Sequence, residues 1–340
     1  MLFKAKSARI RVNPLKEKLD TVTVSHANNK APNLETLNWG DLTWIHLERP
    51  TKLETEYLGN HFPFHPLNLD DVLSIIQRPK IDDYKDHMFI VLHFPYYNPI
   101  NQAIVSSEVD FFIGNGFLVS IDCSGYLKSV AKFFKLCQTS EDTLRGNFIH
   151  GSGYLLYRIV DKLVDDCIPL LDMIGENIDH VENHLFTVGI QGAVMKISTL
   201  RRNIITFRRI IWPMRAVVSS LEGKTRRFTK IELSDYFGDT IDHVDKIWDA
   251  LDEYKEIIEG LNATHDSLAS HRNYDVLRVL TILATISAVL IIVPTFYGMN
   301  VPLPGGSNPG GHPFSWLLVV LSMVLSIAGM LYYFRRKGWF

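Results

Sequence analysis

"VLTILATISAVLIIVPTFYGMN", Val279 to Asn300, decides how this chain is read. From Val279 to Phe334 there is no Asp, Glu, Lys or Arg, although charged residues make up 21% of the whole sequence. A second apolar stretch, Phe314 to Phe334, follows a connector rich in Pro and Gly, "VPLPGGSNPGGHPFSW". Each stretch is long enough, at about 1.5 Å of helical rise per residue, to cross a hydrocarbon core about 30 Å thick. A buried helix of a soluble protein is the competing reading, and two such segments in succession argue against it. Arg272 and Arg278 flank the first, while Arg335, Arg336 and Lys337 end the second. Basic residues collect on the cytoplasmic side of a membrane. The expectation is a transmembrane hairpin over 277–299 and 314–334, with a loop outside at 300–313 and a basic cytoplasmic tail at 335–340.

Two helices cannot enclose a pore, so a transport path through such a protein requires several copies around one axis. The first span also carries hydroxyls at Thr281, Thr285, Ser287 and Thr295. Thr281, Thr285 and Ala288 lie one turn apart, a stripe suited to close helix contact or to a wet lumen. The alternative is that each hydroxyl bonds its own helix backbone.

Upstream, the composition is that of an ordinary protein, with a net charge of −2, which offers no footprint for nucleic acid. The start, Met1-Leu2-Phe3-Lys4-Ala5-Lys6, has no signal-peptide core, so the large N-terminal part is expected to stay in the cytoplasm. Three cysteines, Cys123, Cys137 and Cys167, form no CxxC pair and read as reduced, buried thiols. His46, His61, His65, His87 and His93 lack metal-site spacing, no GxxxxGK[ST] motif occurs, and nothing points to an enzyme or to an organic cofactor.

Residues 1–40 are polar and weakly patterned. Over 41–150 strands and helices alternate: "LTWIHLERP" ends a strand in Pro, while "MFIVLHFPYY" and "VDFFIGNGFLVSID" read as buried strands. Gly114-Asn115-Gly116 supplies a hairpin turn, and "HPLNLDDVLSIIQRPKIDDY" reads as a short helix closed by Pro79. This is an α/β sheet domain. Over 151–276 the apolar period becomes helical, giving a stalk of long helices.

Charge divides that stalk. Lys196 to Lys230 holds ten Lys or Arg and one acid, whereas Asp235 to Glu259 holds nine Asp or Glu and two lysines. Asp239, Asp242, Asp245, Asp249, Asp252, Glu256 and Glu259 follow each other at three or four residues, an acidic stripe on one helix face. It is compensated either by the preceding basic helix or by divalent metal, whose hard character suits carboxylate oxygen. No proline interrupts Tyr236 to Ile292, so one helix is expected to carry both the stripe and the first membrane span.

These segments resemble the CorA family of divalent-cation channels. "NYDVLRVLTILATI" and "YGMN", followed by a second span and a basic tail, carry the likeness. "TWIHLERP", "HPLNLDDVLSIIQRPKIDDY", "LLYRIVDKLVDDCIPLLDMIGENID" and "YFGDTIDHVDKIWDALDEYKEIIEGL" extend it upstream. The resemblance implies a funnel-shaped homopentamer in the cell (inner) membrane that passes Mg2+, and also Co2+ and Ni2+. Tyr297, Gly298, Met299 and Asn300 then form the outer mouth, where amide oxygens accept hydrogen bonds from the water shell that Mg2+ gives up reluctantly. Leu277, Leu280, Thr281, Ala284, Ala288, Ile291 and Thr295 would line the pore, with Leu277 and Leu280 as a hydrophobic gate. Regulatory Mg2+ would bind between subunits through Asp71 and Asp239, with Asp70 and Asp242 adjacent.

The sequence also departs from the family pattern. Ala288 and Ile291 stand where family members usually carry a lumen Met and Thr, the usual mid-helix Pro is missing, and the connector has no acid. A zinc-transporting, proton-coupled relative is the second expectation. A membrane-anchored metal sensor is the third.

Overall fold

The computed structural model describes residues 32–74, 78–184, 190–298 and 315–339. Those residues fall in two compact units, which part between Leu261 and Asn262.

The first unit is built on a six-stranded sheet. Its strands are β1 (Glu35–Trp39), β2 (Leu42–Glu48), β3 (Lys80–Asp83), β4 (His87–Asn98), β5 (Ala103–Gly114) and β6 (Phe117–Asp122), in the order β1-β2-β6-β5-β4-β3. All neighbours are antiparallel except β2 and β6, which run parallel. The expected Asn-Gly turn joins β5 to β6, with Gly114 opposite Phe117. Gly116 sits at φ +80, and a Cβ there would lie 2.8 Å from the Asp41 carbonyl oxygen. Only glycine tolerates both conditions. Pro95 is accepted within β4 because the pairing of β3 reaches only from Met88 to Val91, leaving no ladder to feed on that side.

Helices cover both faces. Alternation along β2 sends Ile45 and Leu47 to one face, where they join Leu58, Phe64 and Val72. Those residues belong to or adjoin α1 (Lys52–His61) and α2 (Pro66–Asp71). Trp44 points to the other face and meets Phe133 and Phe134 of α3 (Lys128–Thr139) and Phe148 of α4 (Glu141–Phe148). Strand β1 lies within the weakly patterned 1–40 segment. The helix expected over "HPLNLDDVLSII" ends early, at Asp71.

Three long helices follow: α5 (Ser152–Asp165), α6 (Cys167–His184) and α7 (Ile190–Thr225). Helix α8 is a single helix, Ser234–Tyr297, that begins in the first unit and continues in the second. Helix α9 is Ser315–Arg336. Cys123, Cys137 and Cys167 are free and buried, as their spacing suggested.

Candidate ion pathway and metal sites

Among the described residues, two segments are long and apolar enough to cross a membrane, the C-terminal part of α8 and α9, and both lie in the second unit. Leu277, Leu280 and Ile291 on α8 are 59%, 59% and 65% exposed in the single chain. Apolar side chains uncovered to that degree call for lipid or further copies of the chain around them. Thr281 and Thr295 are exposed too, and their hydroxyls donate to the Leu277 and Ile291 carbonyls at 2.7 and 2.6 Å. Thr285 donates likewise to the Thr281 carbonyl at 2.9 Å. The backbone-bonded reading of these hydroxyls therefore holds. It does not remove them from a lumen, because an oxygen that donates inward turns its lone pairs outward, as hydrogen bonds from an ion's water shell require.

At the end of α8 the Gly298 N–H donates to the Pro294 carbonyl at 2.9 Å. A Cβ on Gly298 would sit 3.2 Å from that same oxygen, so a side chain would crowd the final turn. Met299 and Asn300, the rest of the expected mouth, lie outside the described residues, as does the loop after them; of Tyr297 only the backbone is described. Ala284 is exposed and Ala288 half-buried.

In the first unit the acidic stripe is partly paired. Arg208 of α7 meets Asp252 at 2.7 Å, and Arg215 grips Asp245 with two nitrogens, Nη2 to Oδ2 at 2.8 Å. The Arg215 hydrogen bond holds the Asp245 carboxyl below the usual carboxylate range. Arg208 also stacks over Trp248, its guanidinium 4.5 Å from the ring, and Trp212 packs on Trp248 at 4.7 Å. The basic helix thus compensates the middle of the stripe, while Asp239, Asp242, Asp249 and Glu256 stay exposed.

The four expected regulatory aspartates occupy two places in the chain. Asp70 and Asp71 end α2, with Asp70 exposed. Asp71 accepts from Lys80 Nζ at 2.7 Å, and Lys80 also reaches Asp82 at 2.8 Å. Burial would lower the Lys80 pKa, but its hydrogen bonds to Asp71 and Asp82 outweigh that and hold it raised. Asp239 and Asp242 lie two turns into α8, and Asp239 comes within 4.0 Å of His243. Within one chain, then, Asp71 meets a lysine and not Asp239.

The structure adds residues that the sequence reading missed. Asp161 and Asp165 of α5 converge on His243, with ligand atoms within 4.8 Å of one another. Burial, then the neighbouring Asp165 charge, raises the Asp161 pKa. Their i, i+4 spacing on α5 was the available signal. Only the pairing of α5 with α8 shows which acids they join.

This is a membrane protein with a sheet domain, facing basic and acidic helices, and two C-terminal apolar helices. A family model described as CorA-like Mg2+ transporter protein matches residues 39–336. The chain belongs to the CorA family of divalent-cation transporters. It is 30% identical over 307 residues to the cobalt/magnesium transport protein CorA of Thermotoga maritima, covering 87% of this chain and 83% of that one. It is 21% identical to the zinc transport protein ZntB of Pectobacterium carotovorum, covering 87% of each. The solved complete structure of the CorA magnesium transporter from Methanocaldococcus jannaschii superposes with a TM-score of 0.77 at 25% identity, covering 88% of this chain and 92% of that one. The proteins it matches are transporters, not enzymes.

Proposed function

We propose that this protein is a Mg2+ channel of the cell (inner) membrane that also passes Co2+ and Ni2+. In this reading five copies assemble as a funnel, and the apolar end of α8 from each lines one pore. The N- and C-termini are cytoplasmic. Gly298 closes the helix, and a ring of Asn300 amides meets the ion while its water shell is intact, since Mg2+ dehydrates reluctantly. The outward lone pairs of Thr281 and Thr295 continue that hydrogen bonding along the lumen, past Ala284, Ala288 and Ile291. Leu277 and Leu280 form the cytoplasmic constriction. Regulatory Mg2+ binds between subunits through Asp71 of one copy and Asp239 of the next, with Asp70 and Asp242 beside them. It holds the closed state and gives negative feedback. Mg2+ is cargo and regulator, and the protein uses no organic cofactor.

The observation that carries this reading is the exposed α8 segment with its outward hydroxyl oxygens, leading to Gly298-Met299-Asn300. The test is Mg2+ uptake into proteoliposomes by wild type and Asn300→Ala. Uptake falls at least tenfold in the variant if the amide ring selects the ion, and equal uptake overturns its role.

A zinc-transporting reading draws on Ala288 and Ile291 in the lumen positions and on the similarity to the zinc transport protein. Zinc uptake that requires a pH gradient, with no Mg2+ uptake, would establish it instead.

A further inference from the structure

Strand β5 places two carboxylates in an apolar interior. Glu108 and Asp110 are two positions apart, so they share one face of the sheet, and they are 3% and 0% exposed. The register sets Val91 and Ile121 on either side of Asp110, and His93 opposite Glu108. Val91 and Ile121 belong to the apolar core on that face, as does Cys123. Cys123, 8% exposed, follows β6 and donates its backbone N–H to the Glu108 carbonyl. Its Sγ lies 3.4 Å from Asp110 Oδ2. One ligand atom from each of Glu108, Asp110 and Cys123 lies within 4.8 Å of the other two. The second Asp110 oxygen, Oδ1, is fully buried without a hydrogen-bond partner.

Such surroundings do not hold an uncompensated charge. Burial first, and then the Glu108 charge, push the Asp110 carboxyl well above the usual carboxylate range. A proton on Asp110 would cancel the charge but leave the geometry unexplained: two carboxylates and a thiol converge, and a carboxyl oxygen is without a donor. A divalent ion would engage all three groups at once and offset two of their three negative charges, and a protonated His93 ring beside Glu108 would balance the third.

We propose that Glu108, Asp110 and Cys123 form a binding site for a divalent ion of the zinc or cobalt(II) kind inside the sheet domain. Thiolate sulfur is soft and favours such ions, whereas Mg2+ demands an all-oxygen octahedron. His93 Nε2 lies 2.9 Å from Glu108 Oε2, an outer partner of the sort that steadies a ligating carboxylate. Burial, then the Asp110 and Glu108 charges, push the Cys123 thiol up, so binding as the thiolate requires the ion to displace its proton, which loading releases. The site contains no residue of α8 and stands whether or not the pore reading does.

Co2+ titration of the chelator-stripped, full-length protein in detergent tests this. The expected result is a near-ultraviolet thiolate-to-cobalt band that saturates at one tightly held Co2+ per chain, whatever further Co2+ all-carboxylate sites take up without such a band. Cys123→Ser removes the band, and the double variant Cys137→Ser with Cys167→Ser, which leaves Cys123 as the sole thiol, keeps it. Asp110→Asn, a neutral isostere that a purely protonated core would accept, loses the tight equivalent while its far-ultraviolet circular dichroism stays that of wild type. The proposal is overturned by wild-type protein that shows no thiolate band, by a band that survives Cys123→Ser, or by folded Asp110→Asn that binds Co2+ as wild type does. Should Cys123→Ser fail to fold, the double variant Cys137→Ser with Cys167→Ser decides, because a band that it keeps can come only from Cys123 and a band that it loses overturns the proposal.

Discussion

Lys80 stands between Asp71 and the ion that residue is proposed to bind. Its ammonium already occupies one carboxylate oxygen, at 2.7 Å, and reaches Asp82 as well. In the proposed regulatory site Mg2+ would compete with a tethered cation, which would weaken binding and raise the concentration at which feedback sets in. Lys80→Met removes the ammonium, which lies 5.4 Å from the Phe89 ring centre, keeps an unbranched side chain, and should lower the Mg2+ concentration for half-maximal protection from protease by several-fold. Asp71→Asn with Asp239→Asn should abolish that protection, and protection unchanged in the double variant would remove both residues from the regulatory site. Asp71 and Asp239 could be proposed from the sequence because "LDD" and "FGDTID" lie in segments that resemble the family. Lys80 could not, because its contact with Asp71 depends on β3 turning back after Pro79, a stretch the helical pattern masked. Gly116 is a residue whose role was legible in both readings. Gly116→Ala must strain a left-handed φ and push against the Asp41 carbonyl, and should destabilise the protein by about 1–3 kcal/mol, read as a lower melting temperature in detergent.

Helices α7 and α8 show how opposite charge can hold two elements together without much stability in each pair. Arg215 and Asp245 are partly exposed, at 53% and 34% of their side chains, so water screens the pair and its contribution is small. The sign of its pH dependence follows from the lowered Asp245 pKa. The contribution is complete above the ordinary value of 3.8 and is lost as pH falls through the lower, folded-state value. Asp245→Asn should accordingly be less stable than wild type at neutral pH, and the gap should close in acid. Thermal unfolding at matched ionic strength checks this, because a gap independent of pH would mean that the charge of Asp245 does not carry the contact. The opposed charge blocks were plain in the sequence, and so were the compensating-helix and metal readings. What the sequence withheld was which acids pair. Asp245 and Asp252 face arginines, whereas Asp239 lies near His243, which Asp161 and Asp165 of α5 also approach. That division depends on helix rotation, which no spacing rule supplies. The same limit hid the Glu108, Asp110 and Cys123 group, whose members meet only through strand register.

At the scale of the whole molecule, the proposed Mg2+ channel would draw on the membrane potential as its driving force. A divalent ion moving into a negative interior gains about 4.6 kcal/mol per 100 mV, twice the single-charge figure. At about 1.4 kcal/mol per decade, this sustains a gradient on the order of a thousandfold, so no second coupled ion is needed. The similarity to a zinc transport protein makes coupling the point to decide. Proteoliposomes carrying the full-length chain separate the cases by imposing the two forces one at a time. A potassium diffusion potential, inside negative, should accelerate Mg2+ uptake steeply, while a pH gradient at zero potential should leave it near the baseline. The response should vanish when the protein is diluted to one chain per vesicle, because a single pair of helices encloses no path for a hydrated ion. Uptake that follows the pH gradient and ignores the potential would exclude the Mg2+ channel, and a potential-driven current from isolated monomers would exclude the shared pore.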